Sequence, residues 1–593
     1  MKALLSGNEA IARGAYEYGV KVASAYPGTP SSEILKNTAE YKDVIYVEWA
    51  TNEKVATEVA IGASFGGSRT MTTMKSAGAN VACDPLVAFT HAGVNGGFVM
   101  VICGDPGMAS SSTEQDDRYF AKLARCPILE PSDSQEAKEF VGLALDLSEK
   151  FDIPVILRST TGLSHSKSLV ELGERTEHEC KGFERNIAKN CLLPAYARKL
   201  RTWLIERERL LTEWGNESDI NRIEPGDKKI GIISSGVTYQ AAKEVMPNAS
   251  FLKLGMTFPL PMEKIKKFAA SVEKLFVVEE LEPFIEEHIK AAGIPVIGKE
   301  VLPMEGEFTP DRIAAGFIKA GIDLPRWKDM ANIVANPPKS VPRMPVQCAG
   351  CPHRGISMAI KKLDLNVCGD IGCYDLITLP PFEIMHTDLE MGGSVSNAVG
   401  VVRAGKQDKP TVAVIGDSTF FHSGMTGLLN AAYNKSNLTL LIFNNSITGM
   451  TGGQFNPGTE YTLSGVPADP VSIPEICKAL GVKDVHVVDP YDYKACLDVL
   501  KETTAHEGVS VVMTNRPCML YPKKYVAPQK CEVVADKCIG CHICLKQCTC
   551  PAFELTEQTT DKGKLIPRIN PDDCVGCTIC AQICPKDAIR EVK

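Results

Sequence analysis

Residues 411–454, TVAVIGDSTFFHSGMTGLLNAAYNKSNLTLLIFNNSITGMTGGQ, permit few folds. The apolar run 411–415 reads as a buried strand that stops at Gly416-Asp417-Ser418. Residues 424–433 have helical periodicity, and 438–443 form a second apolar strand ending at Asn444-Asn445. Strand, helix, strand implies a parallel βαβ unit, with both strand C-termini at one sheet edge. Asp417 and Asn445 lie 28 positions apart, each just past a strand end. That sets two hard oxygen ligands side by side, of the kind Mg²⁺ takes together with waters and phosphates. The glycines let backbone approach a diphosphate. For this stretch alone, the alternative is an ordinary α/β crossover with a polar turn.

The length suits about four domains. Apolar content of 44% and charge of 23% fit a globular protein, and a net charge of −8 does not suggest a nucleic-acid partner. Polar residues follow Met1-Lys2-Ala3-Leu4-Leu5 at once, so no secretory leader is expected. No apolar run approaches about 18 residues, so no membrane span is expected either. Cysteine is the anomaly: 22 in all, ten of them from Cys531 to Cys584. Without an export signal, that density favours metal over disulfides. Cys574-x2-Cys577-x2-Cys580-x3-Cys584-Pro585 matches the bacterial ferredoxin pattern at every cysteine. The run Cys538-x2-Cys541-x2-Cys544 departs from it, because Cys548 keeps the x3 spacing while Cys550 precedes Pro551. Four-thiolate zinc is the alternative, but zinc pairs rarely come as three cysteines at x2 spacing twice over.

Taken in order, residues 1–165 alternate short strands and helices as one α/β domain. Tyr26-Pro27-Gly28-Thr29-Pro30-Ser31-Ser32 is a rigid strand-to-helix loop with Ser31 or Ser32 as cap. A helix opens at Glu53, and Val55, Val59 and Gly62-Ala63 mark its closely packed small face. Glu53 there could simply favour the helix dipole. Residues 110–118 form a polar loop in which Arg118 could meet a substrate carboxylate; a solvated turn is the favoured reading. Residues 166–227 are a charged, helical connecting segment whose charge run is a solvated face. Residues 228–335 are a second, smaller α/β domain, followed by the Pro-rich linker 336–342. The βαβ unit lies in a domain over 345–527, and 528–593 hold the ferredoxin-like cysteines. Gly392-Gly393 would let backbone lie against a cofactor. Cys348-x2-Cys351 is ambiguous on its own: a redox pair, half a zinc site, or cluster ligands. Two more cysteines matter: Cys373, after a likely strand, and Cys518, after Pro517.

Together these motifs resemble the 2-oxoacid:ferredoxin oxidoreductases and, over the whole length and in domain order, the α subunits of the indolepyruvate branch. The resemblance implies an α/β fold with two doubly wound thiamine-diphosphate-binding domains, of pyrimidine and diphosphate type. To these it adds a small transketolase C-terminal-like domain and a C-terminal two-cluster ferredoxin domain. It implies Mg²⁺ held by Asp417, Asn445 and the Ile447 carbonyl, with Gly392, Gly393, Gly416, Ser418 and Thr419 against thiamine diphosphate. Ser418 stands where the motif has Gly. Thr29 would touch the 2-oxoacid. Glu53, nine residues before Gly62, would hydrogen-bond the aminopyrimidine; Glu48 and Glu58 lack that spacing. Two [4Fe–4S] clusters would be held by Cys538, Cys541, Cys544, Cys584 and by Cys574, Cys577, Cys580, Cys550, with Cys548 in reserve. A third would use Cys348, Cys351, Cys373 and Cys518, the alternative being two reduced core cysteines plus a structural pair. The implied reaction is coenzyme A-acylating oxidative decarboxylation of aryl pyruvates, with electrons passed singly to ferredoxin. A smaller β subunit in an assembly of two α and two β chains, and an anaerobe's cytoplasm, go with it. Two other readings stay open: the same chemistry on phenylglyoxylate or a branched-chain 2-oxoacid, and an electron-relay subunit with a vestigial thiamine fold.

Overall fold

The computed structural model describes residues 1–341, 344–406, 408–521 and 530–592. Pro342 and the boundary expected at 527/528 lie outside the described residues. The chain separates into two compact units, 1–340 and 341–593.

The first unit is built on a seven-stranded sheet. Its order is Met256–Phe258, Ile128–Leu129, Val155–Thr160, Phe98–Gly104, Thr70–Lys75, Val22–Ala25, Tyr46–Trp49. All pairings are parallel except that of Met256–Phe258. The central strand Phe98–Gly104 is buried along its whole length. A parallel strand covered on both faces reads as a continuous apolar run, and FVMVICG does. A second sheet orders Lys274–Val278, Asp227–Ser235, Ala249–Leu254 and Arg222–Glu224. Met256–Phe258 leaves this smaller sheet and joins the edge of the larger one. One core therefore runs from Phe98 and Ile102 to Leu252, Val277 and Phe284. The helix Pro194–Glu217 buries Leu204, Arg207, Leu211 and Gly215, a single stripe at helical spacing.

Arg118 overturns the solvated-turn reading and is not presented to a substrate. It is only 1% exposed. Its guanidinium is paired with Asp116 and with Glu279, each at 2.5 Å, and donates to the Glu280 and Glu282 carbonyls. Its partners Glu279 to Glu282 lie some 160 positions away, so local polarity gave no sign of them.

The second unit contains an all-parallel five-stranded sheet ordered Asn366–Cys368, Thr411–Gly416, Leu438–Asn444, Val509–Asn515, Asp484–Val488. Gly416 pairs with Phe443, and Asn444 with Asn515. Asp417, Asn445 and the 516–518 turn therefore leave three adjacent strands at one edge. Cys531–Val533 pairs antiparallel with Ile589–Glu591, and Phe553–Thr559 with Leu565–Ile569. Their core is continuous with that of the five-stranded sheet, from Val412 and Phe443 to Ile579 and Ile589.

Candidate active site

At the strand edge of the second unit, Asp417 is buried and its Oδ2 accepts from Asn456 Nδ2 at 3.1 Å. Burial pushes its carboxyl up to about 6 even so. A buried carboxylate raised by desolvation is what an oxygen-binding divalent cation stabilises, so the residue fits the implied metal. Asn445 Oδ1 accepts from the Ile447 N–H at 3.2 Å, across a turn in which Ser446 is left-handed with φ 58°. Its Nδ2 lies 3.4 Å from Nε2 of His353, a buried ring stacked on Phe443. Burial lowers His353 to about 4, so the ring is neutral near pH 7 and can accept. Ser418, the departure from the motif, accepts a hydrogen bond from Thr448 Oγ1 at 2.8 Å and so ties the two loops together.

Two residues not singled out from sequence organise this edge. Asp370 accepts from the N–H groups of Ile371, Gly392 and Ser394 at 2.9–3.1 Å, fixing the start of helix Gly393–Ala404. Gly392 has φ 89°, and a Cβ there would sit 2.4 Å from Ser423 Cβ, so glycine is required. A Cβ on Gly393 would meet Glu390 Oε1 at 2.2 Å. Tyr374 OH accepts from the Gly416 N–H at 2.8 Å and donates to the Ile371 carbonyl, which Thr419 Oγ1 also reaches at 3.1 Å. The Gly416 N–H is thereby occupied. The signal for Asp370 was its place in Gly369-Asp370-Ile371-Gly372; Tyr374 gave none.

Beside this edge is a cavity of about 250 Å³ lined by Asn445, Ile447 and all four of Cys348, Cys351, Cys373 and Cys518. Burial pushes the thiols of Cys351 and Cys373 up to about 12, and neighbouring cysteines add to it. Thiols grouped in an apolar cavity become thiolates when a metal centre takes them, so the donor set fits a cluster. Among the described residues, no three His, Cys, Asp or Glu side chains close to the distances of a single metal ion.

Further along, Cys538, Cys541, Cys544 and Cys584 line one small apolar cavity. Cys577 and Cys580 lie within electrostatic reach of both Cys548 and Cys550. Cys548 is buried, whereas Cys550 is half-exposed. Backbone N–H groups of Cys531 and Ala588 donate to the sulfurs of Cys574 and Cys584 at 3.4 and 3.2 Å. Donors to sulfur are among the features that set a cluster's potential.

In the first unit, Glu53 heads helix Glu53–Phe65 behind the cap Asn52, whose side chain accepts from the Val55 N–H. Glu53 is 5% exposed, and its carboxylate lies against Gly78, where a Cβ would be 2.5 Å from Oε1. The small-face expectation fails: the buried side is Ala56, Thr57, Ala60 and Ser64, and Gly62 meets nothing within 4 Å. Glu58 pairs with Lys54 at the surface, and Glu48 accepts from Tyr46 OH. Neither serine of the 26–32 loop caps through its side chain. Ser31 Oγ donates to the Gly28 carbonyl, and Ser32 Oγ accepts from the Gly28 N–H. Thr29 is half-buried in this loop. Lys75, unremarked in the sequence, lays its stem 3.1 Å from a Cβ position on Gly28 and donates to the Ser110 carbonyl at 3.0 Å. Burial lowers its pKa, while Asp105 and Glu53 oppose the shift. No helix of the described residues is long and apolar enough to cross a membrane.

Residues 13–196 match the family "Pyruvate flavodoxin/ferredoxin oxidoreductase, thiamine diP-bdg". Residues 370–514 match "Thiamine pyrophosphate enzyme, C-terminal TPP binding domain", and 537–588 match "4Fe-4S dicluster domain". The chain is 41% identical to the indolepyruvate oxidoreductase subunit IorA of Archaeoglobus fulgidus, over 100% of this chain and 98% of that one. It is 40% identical to the Pyrococcus horikoshii subunit IorA, over 100% and 97%. A 2-oxoglutarate:ferredoxin oxidoreductase from Magnetococcus marinus superposes with a TM-score of 0.45 at 19% identity, over 54% of this chain and 65% of that one. With matches of this length and identity, and thiamine-binding and dicluster segments in this order, the chain belongs to the IorA subunit family of thiamine-dependent 2-oxoacid oxidoreductases.

Proposed function

We propose that this chain carries the active site of an enzyme that converts an aryl pyruvate, indolepyruvate among them, to its acyl-coenzyme A. In that reaction the 2-oxoacid and coenzyme A give the thioester, CO₂ and a proton, and two ferredoxins each take one electron. The observation that carries the reading is the single cavity lined by Asn445 and Ile447 on one side and four cysteines on the other. A cofactor edge beside a cluster-type donor set suits an oxidation that removes electrons singly. The aryl preference follows the name of the relatives. Thiamine diphosphate, when bound, supplies the electron sink for decarboxylation.

The chain's own groups have these roles. Asp417, Asn445 and the Ile447 carbonyl hold Mg²⁺. Asp370 keeps Gly392 and Gly393 in the conformation that lets backbone approach the diphosphate, with Gly416, Ser418 and Thr419 lining the same turn. Glu53 would hydrogen-bond the aminopyrimidine ring. Thr29 contacts the 2-oxoacid, and Lys75 offers a cation to its carboxylate. Cys348, Cys351, Cys373 and Cys518 hold a third cluster next to the site. Cys538, Cys541, Cys544, Cys584 and Cys574, Cys577, Cys580, Cys550 hold the two ferredoxin-type clusters. A smaller β subunit, in an assembly of two α and two β chains in an anaerobe's cytoplasm, completes the enzyme, and the domain limits at 165, 227, 335 and 527 belong to the same reading.

The test uses the anaerobically purified complex with its partner subunit and follows viologen or ferredoxin reduction with coenzyme A. Indolepyruvate, phenylpyruvate, pyruvate, phenylglyoxylate and 2-oxoglutarate are offered separately. Preference for the aryl pyruvates is expected. Preference for another acid moves the substrate assignment, and no reduction with any of them, despite bound thiamine and iron, points to a relay subunit.

A further inference from the structure

Among the described residues, four large cationic side chains are fully buried: Arg118, Arg207, Lys253 and Arg354. The first three are paired with carboxylates: Arg118 with Asp116 and Glu279, Arg207 with Asp152, and Lys253 with Glu136. Arg354, 1% exposed, is paired with no carboxylate among the described residues. Its Nη1 donates to the Cys548 carbonyl at 2.6 Å and to Thr549 Oγ1 at 2.7 Å. Its Nη2 donates to the carbonyls of Gln347 and Cys348 at 2.7 and 3.0 Å, and its Nε has no partner. Every acceptor is neutral. A buried charge paired only with neutral acceptors is unfavourable unless an anion lies close enough to neutralise it.

The acceptors lie on two cysteine loops, the one around Cys348 and Cys351 and the one around Cys548 and Cys550. The guanidinium lies within electrostatic reach of the sulfurs of Cys351, Cys548 and Cys577. The Cys348 loop also packs directly on the Cys574 loop: a Cβ on Gly350 would fall 2.0 Å from Val575 Cγ2. A cluster held by four thiolates is a net anion, and each electron it accepts makes it more so. A fixed cation between two such clusters stabilises both, the reduced forms most, and net charge is one of the quantities that set their potentials.

We propose that Arg354 is a positioning residue that supplies the countercharge shared by a cluster at Cys348/Cys351 and the cluster at Cys574/Cys577/Cys580, raising the reduction potential of both. This rests on the reading that the cavity cysteines hold a cluster. No bond is made or broken; each cluster takes one electron from the substrate oxidation and passes it on.

The experiment is iron analysis and an EPR-monitored redox titration of the anaerobic complex, in the wild type, Arg354→Gln and Arg354→Lys. About twelve iron atoms per chain are expected in the wild type, four for each of three clusters. In Arg354→Gln with full iron, at the poise where the wild-type signals are half reduced, the reduced-to-oxidised ratio of two signals should fall about tenfold, or about 59 mV for a one-electron couple. Arg354→Lys, which keeps the charge, should stay within about twofold of the wild type, on the same scale. A Gln variant with full iron and unmoved signals overturns the proposal. Where the Gln variant does not take up iron, a tenfold fall in the Lys variant overturns it and an unmoved Lys variant supports it. About eight iron atoms in the wild type removes the cavity cluster, and the proposal with it, a result read without any variant.

Discussion

The backbone N–H of Cys518 donates to the carbonyl of Asn445 at 2.8 Å. One hydrogen bond thus joins a residue read as a Mg²⁺ ligand to one read as a cluster ligand. It exists because strands Leu438–Asn444 and Val509–Asn515 are parallel neighbours in register, so their C-terminal turns emerge together. Both turns then line the same cavity. Cys518→Ala should therefore remove the cavity cluster while leaving thiamine binding in place, since the bond to Asn445 uses only backbone. Iron should drop from about twelve to about eight per chain with bound thiamine unchanged. Full iron retention would show that Cys518 is not a ligand.

Glu53→Gln should lower turnover by about 10²–10⁴, the usual worth of a positioned acid–base group. Glutamine keeps the shape that packs against Gly78, so the fold and thiamine content should hold. Turnover equal to the wild type, measured with each 2-oxoacid at saturation, would leave Glu53 as a helix-dipole residue.

Much of the candidate site was legible because its residues sit at strand ends, where apolar runs break into Gly, Asp and Asn. Asp417, Ser418, Asn445 and Ile447 are all of this kind, and the x2 cysteine spacing is local by nature. What could not be read depends on long-range contact. Arg118 looks like loop polarity until Glu279 is brought against it, and the sheet beneath the Glu53 helix selects Ala56, Thr57, Ala60 and Ser64 as its packed side rather than Val55, Val59 and Gly62-Ala63. Ser418 looked like a defect in a motif and proves to bond Thr448, 30 positions on. Lys75 ends an apolar strand like any exposed lysine, and only the fold sets it beside Gly28.

Lys75→Met keeps the stem that packs on Gly28 and removes the charge. If Lys75 meets the substrate carboxylate, KM for the 2-oxoacid should rise by about tenfold or more, which is about 1.4 kcal/mol or more of lost binding, with kcat changed much less. An unchanged KM would assign Lys75 to holding the Ser110 carbonyl alone.

Glu280 gives a pH dependence of stability whose sign can be worked out. Burial is the main cause that pushes its carboxyl up to about 7, against the Phe308 N–H bond that lowers it. Folding thus favours the protonated form. Its contribution is fully present below the ordinary carboxylate range, near pH 4, and is lost as pH rises through about 7. Above that the ionised group opposes folding by up to about 3 kcal/mol, taking about 1.4 kcal/mol per pH unit between the unfolded and folded values. Glu280→Gln retains an acceptor for the Phe308 N–H and carries no charge, so it should be close to neutral at pH 5 and stabilising at pH 8.5. Anaerobic thermal melts of wild type and variant at the two pH values test this. A difference between the two proteins that stays constant from pH 5 to 8.5 would mean that Glu280 does not titrate in this window.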